Sequence, residues 1–233
     1  YIANILNIKL LQCSSSLINH AIIYEEKYNL GLFKNYSYIT NRLPIRTQRI
    51  SNIIDNSNKN FIYSHFGDVE NPPSIKSNFE WIRPYHNIGK ISLPCHHNIM
   101  AGLSINNKHI FSILEKYHDS VAFTEFIDEK YLNVKLKKYI HQDEYFCNLR
   151  NADIFICQGQ TSFLADAFYN GKYSVILPDF NDPECLTNVI LSEKMKLGYR
   201  YDINLNLEYY KDITIYNSYN NKIKFLHEKL EEI

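Results

Sequence analysis

The segment from Asn151 to Lys172 most limits what this chain can fold into. Ile154-Phe155-Ile156-Cys157 is a short, wholly apolar run, Gln158-Gly159-Gln160 is a small polar turn, and residues 161–170 read as an amphipathic helix closed by Gly171. A strand apolar on both sides has to be covered on both faces, the condition of a central strand in a parallel sheet flanked by helices. Glycine just past the helix end marks the stop, because the left-handed backbone used there costs it nothing.

The same switch of period repeats through the later part of the chain. Residues 88–93, 120–126, 133–139, 153–157 and 173–177 read as strands, and residues 107–117, 143–150, 161–170, 183–195 and 218–232 as helices. Regular alternation predicts an α/β fold, a Rossmann-like parallel sheet with helices on both faces, over residues 87–233. Residues 1–86 hold two further strand-like runs, 9–13 and 60–64, and close on Pro72-Pro73 and an extended connector over residues 81–85. They are expected to be part of a second Rossmann-like domain, entered partway because the chain opens on Tyr1 in mid-pattern.

Lys plus Arg and Asp plus Glu balance at 25 each, so no net field recruits nucleic acid. The short cluster Lys135, Lys137 and Lys138 reads as the solvated side of a strand. Five widely spread cysteines without CxxC spacing read as free thiols of a reducing compartment. No apolar run reaches the ~20 residues that span a bilayer, so a cytoplasmic protein is expected, with peripheral attachment to a membrane face left open.

Ligands of such sheets sit beyond the carboxyl ends of the strands, which directs attention to the loops 94–104, 140–142, 158–162 and 178–184. Neither a Walker-type nor a GxGxxG phosphate loop is present. What remains is the turn at Gly159, where backbone N–H groups and the first helical turn would receive a diphosphate without a metal.

Residues 152–172 resemble, without a gap, the donor-binding motif of GT-B glycosyltransferases, especially the bacterial cell-wall N-acetylglucosaminyltransferase family. The resemblance puts Gly159 at that motif's first glycine, Asp166 at its acidic residue and Gly171-Lys172 at its closing pair. It implies a diphosphate on Gln158, Gly159, Gln160, Thr161 and Ser162, and a donor ribose on Asp166. Gln160 stands where a second glycine is usual, Phe163 where threonine is common, and Tyr173 where proline usually follows. Residues 177–188 resemble the family's second signature, which implies donor-sugar contacts from Glu184 and Asn188. The loop that holds the nucleotide base would contain Tyr139 and Ile140.

Two histidine clusters are the candidates for catalysis. His96 and His97 are expected in the first loop of the second domain, where imidazoles would steady the leaving diphosphate. His65 and Asp68 follow a strand of the first domain, and a histidine paired with an aspartate fits a general base toward an acceptor hydroxyl.

The reading implied is metal-independent transfer of a sugar from a nucleoside diphosphate donor, UDP by resemblance, to a carbohydrate, lipid-linked or other hydroxyl acceptor. No metal and no cofactor is expected, since the sequence has no DxD pair. Two alternatives share the architecture: a nucleotide-sugar hydrolase or epimerase, and a non-catalytic or split subunit completed by a partner.

Overall fold

The computed structural model describes residues 11–14, 59–63, 66, 79–83, 97–103, 108–125, 131–138, 142–179, 182–202, 204, 206–211 and 224–225. The chain divides into two compact units. One comprises Tyr1–Tyr85, Asp179–Leu191 and Ser218–Ile233, and the other His86–Pro178 and Ser192–Asn217.

The first unit opens with strands β1 (Leu11–Ser14), β2 (Lys59–Tyr63) and β3 (Phe79–Arg83). Each pairs with the next in parallel, with buried Phe61, Trp81 and Ile82 among the side chains that fill this sheet. The described part of the connector expected over residues 81–85, residues 81–83, is therefore strand. Aromatic and β-branched residues suit a half-buried pleated surface, and Pro84 favours the extended backbone that a strand already has.

The second unit is built on β4 (Ile99–Leu103), α1 (Lys108–Leu114), β5 (Ser120–Thr124), β6 (Val134–Lys137), α2 (Gln142–Asn151), β7 (Ile154–Gln158), α3 (Thr161–Tyr169) and β8 (Ser174–Leu177). Then come α4 (Pro183–Lys194) and β9 (Gly198–Arg200), with α4 divided between the units at Leu191. The six strands run parallel in the order β6-β5-β4-β7-β8-β9. β4, β5 and β7 are buried along their whole length, as strands covered on both faces must be.

The period of two sorts the faces. Ile99, Ala101 and Leu103 of β4, Ile154 and Ile156 of β7, and Val175 and Leu177 of β8 share one cluster with Ile110, Phe111 and Leu114 of α1. The alternate residues face the other way: a β-carbon on Gly102 would lie 3.3 Å from the Phe163 ring of α3 and 3.4 Å from Phe155. Helices α1 and α3 thus cover opposite faces.

Strand β4 lies where the loop 94–104 was expected, while the expected strand 88–93 falls outside the described residues. Both runs are short and apolar, and periodicity alone does not choose between them. Strand β9 and a 3-10 helix at Leu207–Tyr210 are additional elements. Of the helix expected over residues 218–232, the described residues are Lys224 and Phe225, which form strand β10 (Lys224–Phe225) and pair in parallel with β3 in the first sheet. Tertiary pairing overrides helix propensity there.

Local chemistry fixes the helix ends. Asp182 caps α4, its carboxylate accepting from the Glu184 N–H at 2.9 Å, with Pro183 at the first helical position. At the end of α3, Gly171 takes φ 73°; its N–H bonds Phe168 O at 3.0 Å, and the Lys172 N–H bonds Ala167 O at 2.9 Å. That pair is a Schellman motif.

Cys147 is disulfide-bonded, which corrects the expectation of free thiols throughout; Cys157 and Cys185 are free and buried. Sequence spacing does not reveal which sulfurs a fold brings within bonding range. Among the described residues no helix is long and apolar enough to cross a membrane.

Gly198 allows close approach of β9 to β8, because a β-carbon there would lie 2.7 Å from Ser174 O and 2.8 Å from Ile176 Cδ1. Gly198→Ala is expected to lower the unfolding free energy by about 1–3 kcal/mol in urea denaturation, since a backbone carbonyl cannot give way as a side chain does.

Candidate functional site

The strand order reverses between β4 and β7: the chain builds β5 and β6 to one side of β4, then returns to build β7, β8 and β9 on the other. Such a reversal leaves a crevice at the carboxyl ends of the two strands, because the connecting segments diverge to opposite faces. β7 delivers Gln158, Gly159 and Gln160 to this edge, and α3 starts immediately after.

The geometry suits an anion. Gln160 is the N-cap residue, extended at φ −74° and ψ 141°, and its side chain makes no capping hydrogen bond. The helical ladder begins with the Leu164 N–H to Gln160 O at 3.2 Å, so the preceding N–H groups have no carbonyl of the helix to bond. They point along the positive end of the α3 dipole. Gln158, Gly159 and Thr161 are buried and Ser162 is exposed, so the turn is held from below and open at its tip. Among the described glycines only Gly171 has a positive φ, so the Gly159 turn does not use a left-handed backbone.

Helix α3 differs from the amphipathic helix expected. Thr161, Phe163, Leu164, Ala165, Ala167, Phe168 and Tyr169 are all buried, so the helix is apolar around most of its circumference. Asp166 is consequently half-buried. Burial pushes its carboxyl up to about 7, against an opposing pull from the Tyr145 hydroxyl of α2. Burial likewise raises the nearby Cys157 thiol, which the Ser174 side chain partly offsets and the Asp166 charge reinforces.

Two motif residues carry structural work. Phe163 fits because Gly102 leaves room above β4 for its ring. The Lys172 ammonium donates to Ala152 O at 2.6 Å, just beyond the end of α2, where a cation complements the helix dipole.

The remaining candidates fall elsewhere. His97 precedes β4 at the amino edge of the sheet, with its Nδ1 2.8 Å from Asp119 Oδ1 just before β5. Five residues of strand, about 16 Å at about 3.3 Å per residue, separate that edge from the Gly159 turn. The loop expected around His97 is shortened because β4 takes up Ile99–Leu103 of it. Glu184 is half-buried and Asn188 fully buried, both on the part of α4 that groups with the first unit. His65, Asp68, His96, Tyr139 and Ile140 lie outside the described residues. In the basic cluster, Lys137 pairs with Glu144 of α2, and Lys135 lies 3.7 Å from Asp119. Tyr145 and Gly102 were not singled out from sequence, since neither lies in a motif and each matters only through a contact across elements.

Known structures share this architecture. The chain matches the glycosyltransferase of kitacinnamycin with a TM-score of 0.55 and 13% identity, over 89% of this chain and 61% of that one. It matches CalG4, the calicheamicin glycosyltransferase, with a TM-score of 0.54 and 14% identity, over 91% and 58%. For the spinosyn forosaminyltransferase SpnP the TM-score is 0.54 at 13% identity, over 91% and 61%. The chain therefore has a GT-B type α/β fold, as its sequence predicts, and spans about three fifths of the length of the structures it matches. No protein-family model and no curated sequence matches it.

The Asp166 carboxyl sets a test by pH. Its folded-state pKa lies above its unfolded value, so its favourable contribution is complete at acid pH and is lost as pH rises from about 4 to about 7. Asp166→Asn should flatten the stability profile in that window and be the more stable form at about pH 8 by about 1–3 kcal/mol, read by denaturation across pH.

Proposed function

We propose that this chain is the nucleotide-sugar-binding part of a glycosyltransferase that takes a sugar from a nucleoside diphosphate, UDP by resemblance to the N-acetylglucosaminyltransferase motif. The observation that carries the reading is the turn from Gly159 to Ser162, set at the carboxyl end of β7 where the sheet reverses, in a GT-B type fold. In this reading the diphosphate lies on the N–H groups that open α3. The helix dipole stabilises the negative charge that grows on the departing nucleotide, which is where transition-state stabilisation is most effective. Those dipoles are already oriented, so the step proceeds without a divalent ion. The acceptor is a hydroxyl compound held outside the turn.

Asp166 reads the ribose. As a carboxylate it accepts at both oxygens, and as a neutral acid it keeps an acceptor carbonyl while its other oxygen becomes a donor. Because its pKa sits near 7, UDP affinity should rise with pH through neutrality, as the accepting form becomes dominant.

The test is thermal stabilisation by UDP, with and without magnesium or manganese. UDP alone should raise Tm, since a ligand of the native state stabilises it by mass action. Stabilisation only in the presence of the cation would contradict the dipole mechanism. Asp166→Ala should weaken UDP binding by about 1–3 kcal/mol and reduce its pH dependence to that of the UDP terminal phosphate, while inorganic pyrophosphate, which has no ribose, binds nearly as before. Equal losses for both ligands would assign Asp166 to the structure of the turn.

A further inference from the structure

The opposite edge of the same sheet carries a groove that the donor reading does not use. It has a volume of about 370 Å³ and opens between the end of α1, the amino ends of β4 and β7, and the 3-10 helix at Leu207–Tyr210. Asn98, Lys116, Tyr117, Asp153, Glu208 and Lys211 supply its chemistry. We infer that this groove binds a neutral saccharide.

Charge decides first what the groove does not select. Two lysines and two carboxylates line the groove together with His118, and Lys211 Nζ lies 3.3 Å from Asp153 Oδ2, so the formal charges of lysine and carboxylate balance and are partly self-paired. A phosphate or nucleotide site needs a surplus of donors and positive charge, and a cation site needs a surplus of carboxylates. Among the described residues no group of three or more His, Cys, Asp or Glu is placed to hold a metal ion. Such a set offers ammonium donors, carboxylate acceptors and an amide, with the Asn98 amide oriented by its donation to His118 O at 2.9 Å. Closely spaced donors and acceptors match vicinal hydroxyls, each of which gives one hydrogen bond and takes others.

Aromatic surface supplies the second requirement, a flat partner for the C–H face of a sugar ring. Tyr117 lines the groove itself. The 3-10 helix that forms one wall carries Tyr210, whose ring stacks on Tyr173 at 5.9 Å and 11° and on Tyr199 at 5.6 Å and 28°. Tyr199 remains 43% exposed and the adjacent Tyr209 78% exposed. These rings lie outside the groove's lining; their stacking holds the wall that presents Glu208 and Lys211 to it, and Tyr117 is the tyrosine that a sugar ring would meet. The volume admits one or two sugar rings, a small ligand by the usual range of about 300–1,000 Å³.

The experiment uses the full chain, labelled with 15N, titrated separately with glucose, N-acetylglucosamine, maltose and cellobiose, and with inorganic phosphate as the anionic probe. At least one saccharide should give saturable shifts at the amides of Asn98, Lys116, Asp153 and Lys211, with Kd of about 1–10 mM. The exposed pair Lys116→Ala and Glu208→Gln together should weaken that binding by about tenfold with Tm unchanged. The inference is overturned if none of the four sugars shifts these amides, if phosphate does so instead, or if the double variant binds the sugar as well as the parent. UDP is absent from every arm, so the result is independent of the donor site.

Discussion

The pairing of β4 with β7 organises the second unit. Four residues of each strand are in register, Ile99 with Ile154 through Gly102 with Cys157, and both strands are buried throughout. Each strand is bonded on its other side to a strand from its own half, so this ladder joins the two halves of the sheet. Burial on both faces forbids polar residues along it and drives them to the strand ends. That is why polar Gln158 and Gln160 flank Gly159 at the carboxyl end, while His97, Asn98 and Asp153 collect at the amino end.

The two ends inherit different chemistry from the same constraint. In a parallel sheet every helix that follows a strand starts at the carboxyl edge, so backbone N–H groups and positive dipole ends gather there. The amino edge receives helix C-termini, together with side chains of both charges. Asp119, at φ 59° and bonded to His97, and the Lys211–Asp153 pair belong to that second environment. A diphosphate suits the first edge, and a balanced, polyhydroxylated ligand the second.

Much of this was legible in the sequence wherever one residue type forces one local outcome. The run from Ile154 to Cys157, the Gly159 turn and the Gly171 stop gave β7, α3 and their boundaries nearly to the residue. Pro183 after Asp182 did the same for α4. The illegible parts depend on contacts between distant residues. Ile99–Leu103 resembles any short apolar run until it pairs with β5 and β7, and β10 becomes a strand only beside β3. Asp166 could be matched to a motif, but its half-buried state follows from how closely α3 and α2 pack, which the helical period does not report. The same holds for Phe163, whose fit depends on a glycine some sixty residues earlier.

The central claim is that a nucleoside diphosphate sits at the carboxyl end of β7. A crystal structure of the chain grown with UDP and no divalent metal tests it directly. Phosphate oxygens should lie at hydrogen-bonding distance, about 3 Å, from the N–H groups between Gln160 and Phe163, with the ribose hydroxyls on Asp166. A nucleotide bound at the amino edge near His97 and Asp119, or away from the Gly159 turn altogether, would contradict it.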